Sequence, residues 1–237
     1  MNMAIKLSLT KLLKSLSWSF ILLICQIAVA QEEPERFRYK KADSLARTYQ
    51  GHPVNSLKIL SDKLTKPFED QAEKYRAIFY WVCTNISVDY DLVKLNDEKR
   101  RKLRRKPGQL QKWNIKISEM MFSNLLKEQK TLCTGYAYLV KELCAHAKIN
   151  ARIVNGLVRN STLGPKDSST PNHSWIAVEI NGRWYRSDPT WASGIYDLRH
   201  QTFVPKFDNT YFLVVPEIFN QDHFPLDQMQ PTQNNIK

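Results

Sequence analysis

Glycine is scarce in this chain, 7 residues in 237, and neither a GxGxxG nor a GxxxxGK[ST] run occurs. Loops that cradle nucleotide phosphates on backbone N–H groups need such runs, so nucleotide cofactors drop out of the leading readings. No CxxC pair is present to anchor a structural zinc, and neither a cofactor nor a metal is expected. Internal repeats and low-complexity tracts are missing as well. What is there, 43% apolar, 11% aromatic and 24% charged residues, is the composition of a globular protein, and the length suits one domain with a substantial core.

The first thirty residues follow a different pattern. Lys6, Lys11 and Lys14 precede the apolar run from Phe20 to Ile24, and the small residues Ala28 and Ala30 stand before Gln31. The run is too short to cross a bilayer, which takes about 20 apolar residues. The pattern predicts a secretory signal peptide, residues 1–30, cleaved after Ala30, and hence an exported protein, periplasmic or extracellular. Cleavage removes three lysines and no acid, so the formal net charge falls from +12 to +9.

Most of that charge is concentrated. Between residues 92 and 116, ten basic side chains face only Asp97 and Glu98. The segment reads as a solvated helix or loop, or as a patch for an anionic membrane surface or another polyanion through Lys99 to Lys106. No helix-turn-helix or interleaved aromatic pattern accompanies it, so nucleic acid is not an expected partner.

Cleavage leaves Cys83, Cys133 and Cys144, an odd number, so at least one thiol has no disulfide partner within the chain. Cys83 continues the helical stripe of Ala72, Tyr75, Ile78, Val82 and Ile86, and Cys144 lies in a second such stripe. Both read as small core residues, with a disulfide between them as the alternative.

Residues 31–66 form a polar, weakly helical lead-in, and 67–237 form the domain proper, with the basic segment at about 92–116 as an insertion. Helices are predicted over 70–85, 118–127 and from Cys133 onward, the first with Asp70 and Glu73 as a capping box. Short β-branched or aromatic runs at 152–158, 174–180, 183–187 and 211–215 read as strands. Helices first and strands second predict an α+β domain with an antiparallel sheet.

One turn yields geometry. Asn181-Gly182 suits a two-residue type I′ hairpin, which needs positive φ at both central residues. Ile180 then opposes Arg183, and the same register carried along the ribbon sets Trp175 opposite Asp188. His173, two residues earlier, points to the same face. His173 and Asp188 become diagonal cross-strand neighbours about 7 Å apart at Cβ, within reach of an imidazole–carboxylate hydrogen bond. A nucleophile that could use this pair is Cys133, which opens a helix where unpaired N–H groups and the positive helix end favour thiolate.

Four stretches recur together in a known pattern: Arg76-Ala-Ile-Phe-Tyr-Trp81 leading to Asp89-Tyr90-Asp91, Cys133-Thr-Gly-Tyr-Ala137, His173-Ser-Trp175 and Asp188-Pro-Thr-Trp191. Tyr211-Phe-Leu213 and His223-Phe-Pro225 follow. In order and spacing the chain resembles the transglutaminase-like superfamily of papain-related folds, in its bacterial secreted, kyphoscoliosis-peptidase-like branch. The resemblance implies N-terminal helices packed on an antiparallel sheet, with the nucleophile at a helix N-terminus. It also implies a triad in which Cys133 attacks a carbonyl, His173 moves the proton and Asp188 holds the imidazole. An exported cysteine-dependent acyl-transfer enzyme follows, a cysteine protease, amidase or transglutaminase-like acyltransferase acting on amide bonds of peptides or proteins. Hydrolysis is favoured because water is always present and nothing marks an amine site. A non-catalytic binding or scaffold module at the cell envelope is the alternative.

The pattern has one departure. Where the family often carries glycine, two residues before the nucleophile, this chain has Thr131. Either the backbone entering Cys133 differs, or the threonine caps the helix. The backbone N–H of Cys133 is one expected oxyanion donor, with Trp81, Trp113 and Gln129 as side-chain candidates for another. Trp175, Trp184 and Trp191 belong to the core or line a groove, and His200 and His223 read as structural or surface residues.

Overall fold

The computed structural model describes residues 38–226 except 159–170, 198 and 201. The expected signal peptide and its cleavage site lie outside the described residues. The chain divides into two compact units, residues 1–40 and 41–237; of the first, only residues 38–40 are described. The lead-in forms two helices, α1 (Lys40–Thr48) and α2 (Leu57–Thr65).

Helix α3 (Gln71–Asn85) starts where its cap predicts, with Asp70 accepting the Glu73 N–H at 3.0 Å. Tyr75, Ile78, Phe79 and Val82 are completely buried, as the stripe requires. Arg76 is buried too. Its guanidinium grips Asp43 of α1 through Nε at 2.6 Å and Nη2 at 3.0 Å, and Nη1 donates to Asn209. The Arg76 to Trp81 stretch therefore ties α1 and a distant loop to the central helix. Cys83 and Cys144 are buried free thiols, so the disulfide alternative falls away, and burial pushes both thiols up.

The basic segment is helical and packed on one face. Asp89 caps α4 (Tyr90–Leu103) by accepting the Leu92 N–H at 3.0 Å, and Pro107 opens α5 (Pro107–Glu128). The helix predicted over 118–127 is thus the last half of a much longer one. Leu92, Trp113, Ile117 and Met121 join the two helices to Leu132, while Lys99, Arg101, Lys102, Arg104, Arg105 and Lys106 stay exposed. Only Leu92 of α4 is buried, which is why its helical period was hidden under charge.

A two-residue parallel pairing of β1 (Ser87–Val88) with β2 (Lys130–Thr131) leads into α6 (Cys133–His146). Leu132 is the N-cap residue and no side chain caps the helix, so Thr131 is not a cap. The threonine packs against the first turn instead: a Cβ on Gly135 would overlap Thr131 Oγ1 and crowd its Cβ and Cγ2. Glycine is needed at 135 because threonine stands at 131. Gly135→Ala should therefore cost about 1–3 kcal/mol in urea unfolding despite alanine's better helix propensity. Adding Thr131→Ala should restore part of the loss, since Thr131 Oγ1 makes no hydrogen bond that would be forfeited.

The main sheet is antiparallel in the order β5-β4-β3-β8, built from β3 (Ala151–Val158), β4 (His173–Ile180), β5 (Arg183–Ser187) and β8 (His223–Pro225). The α+β expectation is met. Asn181 at φ 52° and Gly182 at φ 79° form the turn, and the rungs run from Ile180 opposite Arg183 to Ile176 opposite Ser187, as the hairpin register requires. Between β5 and β8 come α7 (Pro189–Ser193), the pair β6 (Gly194–Asp197) and β7 (Thr202–Pro205), a 3-10 turn (Asn209–Tyr211) and α8 (Pro216–Phe219). The strand predicted over 211–215 does not form. Leu213 takes a left-handed φ of 48°, which turns the chain, and only Val214 bridges to Arg186.

Candidate active site

Three segments converge on Cys133. It is the first residue of α6, so the first-turn N–H groups and the positive helix end lie beside its sulfur. His173 is the first residue of β4, and Asp188 follows the last residue of β5. His173 Nε2 meets Asp188 Oδ2 at 2.6 Å, with both side chains buried. That leaves Nδ1 for the half-buried Cys133, whose sulfur interacts with the imidazole and with the Ser174 backbone N–H. The pair expected from the turn is formed, and the sulfur joins it.

Asp188 is also the cap of α7. Its Oδ1 accepts the N–H groups of Thr190 at 2.8 Å and Trp191 at 3.1 Å, with Pro189 at the first helical position. Its Oδ2 accepts from His173 and, at 3.1 Å, from His223 Nε2. Of the two readings of His223, structural or surface, the structure shows the first. His223 is completely buried at the centre of the site, and its Nδ1 faces Asp222 Oδ1 at 2.5 Å. The His223-Phe-Pro225 stretch was the signal available for it. His200 lies at the surface against Asp197, as expected.

Four donors on one buried carboxylate set the electrostatics. Burial alone would raise Asp188, but the charge and hydrogen bond of His173, with the bond from His223, hold it well below the usual carboxylate range. Burial alone would lower His173; the charge and hydrogen bond of Asp188, joined by Cys133, push it up to about 10. Burial would raise Cys133, and the His173 ring and the Ser174 N–H reverse that, so the thiol lies below its ordinary value. A thiolate–imidazolium pair is the arrangement these shifts favour. His173, Asp188 and His223 are also the set among the described residues whose potential metal-ligand atoms cluster, within 4.8 Å. Both imidazoles direct Nε2 at one carboxylate oxygen, an arrangement that hydrogen bonds satisfy without an ion.

The sulfur opens into a two-lobed cleft, and α4 forms one wall. Asn96, Asp97, Leu132, Asn172 and His173 line both lobes with Cys133. Val88, Tyr90, Val93 and Trp191 complete one lobe, and Arg100, Asn114, Asn155 and Ser174 the other. Burial pushes the Asp97 carboxyl up to about 6 against the pull of Arg101 and Arg100. Of the three tryptophans considered from sequence, Trp191 borders the cleft, Trp175 is completely buried, and Trp184 packs on the cluster around Trp175.

The expected side-chain oxyanion donors are all engaged elsewhere. Trp81 is buried and donates to the Tyr49 carbonyl at 2.8 Å, and Gln129 Nε2 donates to the His52 carbonyl at 2.9 Å. Trp113 Nε1 donates to Asn96 Oδ1 at 2.9 Å. Aromatic or amide character near the nucleophile in sequence did not reveal which N–H groups the fold would consume.

Comparison with known proteins gives the family. The family model described as the transglutaminase-like superfamily matches residues 58–189, a span that contains Cys133, His173 and Asp188. Kyphoscoliosis peptidase from Homo sapiens is 32% identical over 169 residues, covering 70% of this chain and 22% of that protein. The Mus musculus protein of the same name matches equally, 32% over 169 residues. The chain thus spans about a fifth of the length of these curated relatives. A solved structure titled "Crystal structure of a TGase" is similar with a TM-score of 0.39 and 15% identity, over 82% of this chain and 42% of that one. On the family match, which takes in more than half of its residues, this chain belongs to the transglutaminase-like superfamily.

Proposed function

We propose that this protein is an exported cysteine-dependent acyl-transfer enzyme that acts on amide bonds of peptides or proteins, with hydrolysis favoured over transglutamination. The observation that carries the reading is the 2.6 Å hydrogen bond between His173 and the Asp188 carboxylate, with the His173 ring lining the same cleft as Cys133 and lowering its thiol. Membership of the superfamily and similarity to proteins named as a peptidase support it.

The chemistry follows from the protonation states. The Cys133 thiolate bonds to the substrate carbonyl carbon, and the π pair moves onto oxygen. When that pair returns, the C–N bond breaks and His173 gives its proton to the departing nitrogen, leaving a thioester on Cys133. Water then loses a proton to His173 and attacks the same carbon, and the sulfur leaves as thiolate. An amine in place of water would give a cross-link. Asp188 keeps the ring oriented and supports its positive charge throughout. The exposed cations from Lys99 to Lys106 make an anionic membrane surface or another polyanion a proposed docking partner.

Incubation with a broad peptide library, wild type beside Cys133→Ala, tests the reading. Cleaved products with the wild type alone are the expected result. Mass gain without cleavage would reassign the reaction to cross-linking. Neither outcome, together with a Cys133 that alkylates no faster than an ordinary thiol, would leave the non-catalytic module standing.

A further inference from the structure

We propose that the Asn96 carboxamide supplies the second hydrogen bond to the oxyanion, beside the backbone N–H of Cys133. This rests on the acyl-transfer reading above. The argument starts from Trp113, whose indole N–H can donate but cannot accept. It points at the Asn96 oxygen at 2.9 Å, so chemistry assigns that atom as oxygen and turns Nδ2 away from the indole. Trp113 sits in the apolar cluster that also holds Leu132, the residue before the nucleophile. Amide and thiol are therefore anchored to the same packed body.

Asn96 lines both lobes of the cleft with Cys133 and His173, and its Nδ2 has no hydrogen-bond partner among the described residues. Asn172 offers a comparable amide, its Oδ1 held by the Val158 N–H at 2.9 Å, but it directly precedes His173 on the imidazole side. In the tetrahedral adduct the leaving group must face His173 to receive a proton. The oxygen then faces away from the imidazole, and on this proposal it is set against Asn96 of α4, the helix whose Arg100 also donates to the Pro171 carbonyl at 3.2 Å.

Two reagents separate the roles. Iodoacetamide alkylates the thiolate by displacement of iodide and builds no oxyanion. p-Nitrophenyl acetate acylates it through one: the sulfur bonds to the carbonyl carbon, the π pair moves to oxygen, and its return expels p-nitrophenolate. Asn96→Ala should slow acylation about 100-fold, the lower end of the range for loss of one oxyanion donor, while alkylation stays within about twofold. Asn96→Asp, which keeps an acceptor for Trp113 but loses the N–H donor, should slow acylation relative to alkylation in the same sense. Trp113→Phe, which frees the amide to rotate, should give a smaller loss with the same split. Equal acylation by wild type and Asn96→Ala, a wild type that alkylates but does not acylate, or the same loss in Asn172→Ala instead, would overturn the assignment. A wild type whose Cys133 is slow toward both reagents would remove the acyl-transfer reading itself.

Discussion

Iodoacetamide labelling of Cys133 at pH 7 is expected to slow about 10-fold when Asp188 is replaced by asparagine. An ordinary thiol with a pKa of about 8.5 is only about 3% thiolate at that pH. The His173 ring holds the wild-type thiol below its ordinary value, which raises its thiolate fraction at pH 7. The ring can do this only while it is charged, and the charge and hydrogen bond of Asp188 are what oppose burial there. In Asp188→Asn the carboxylate charge is gone, burial returns the imidazole toward neutrality, and the thiol rises with it. The acid limb of the labelling profile should move upward in pH, and His173→Ala should move it in the same direction. Amide turnover carries the opposite limb: it should fall as pH rises through about 10, where His173 loses the proton it gives to the leaving nitrogen, while labelling does not fall. An unshifted profile in Asp188→Asn would mean that the carboxylate does not sustain the imidazolium.

His223→Ala should be among the most destabilising single changes, about 3–5 kcal/mol by urea unfolding. The ring fills a completely enclosed position with centroids 4.0 Å from Phe219, 4.6 Å from Trp191 and 5.1 Å from Trp175. Its removal opens a cavity among large side chains and takes one donor from the buried Asp188. It also strips Asp222 of its partner at the first residue of β8, the strand that closes the sheet against β3. His223→Gln, which can still donate to Asp188, should recover part of the loss. A cost below about 1 kcal/mol for the alanine variant would show that neither the cavity nor the carboxylate depends on this ring.

The two outcomes concern residues that differ in how legible they were. Asp188 and His173 could be paired from a single turn, because Asn-Gly selects a two-residue hairpin and a strand's side chains alternate with period two. Nothing beyond the local ribbon enters that inference. The Asp70 cap and the α3 stripe were legible for the same reason: each depends on residues a few positions apart. His223 is 35 residues from Asp188, in a short edge strand whose partner no local pattern names, and so read as structural or surface with no partner assigned. The segment at 211–215 failed in the opposite direction. Its composition favours a strand, but the backbone turns at Leu213.

Sequence by itself therefore determined the α+β class, the hairpin register and the placement of a thiol at a helix start, since turn chemistry, alternation and helical period act over a few residues. Tertiary structure alone decided that Thr131 would demand glycine at 135, that three candidate N–H donors would be spent on other partners, and that α4 would wall the cleft and bring Asn96 to it. Those outcomes depend on which groups meet after the chain closes on itself. A free N–H and an engaged one have the same sequence, and only packing distinguishes them.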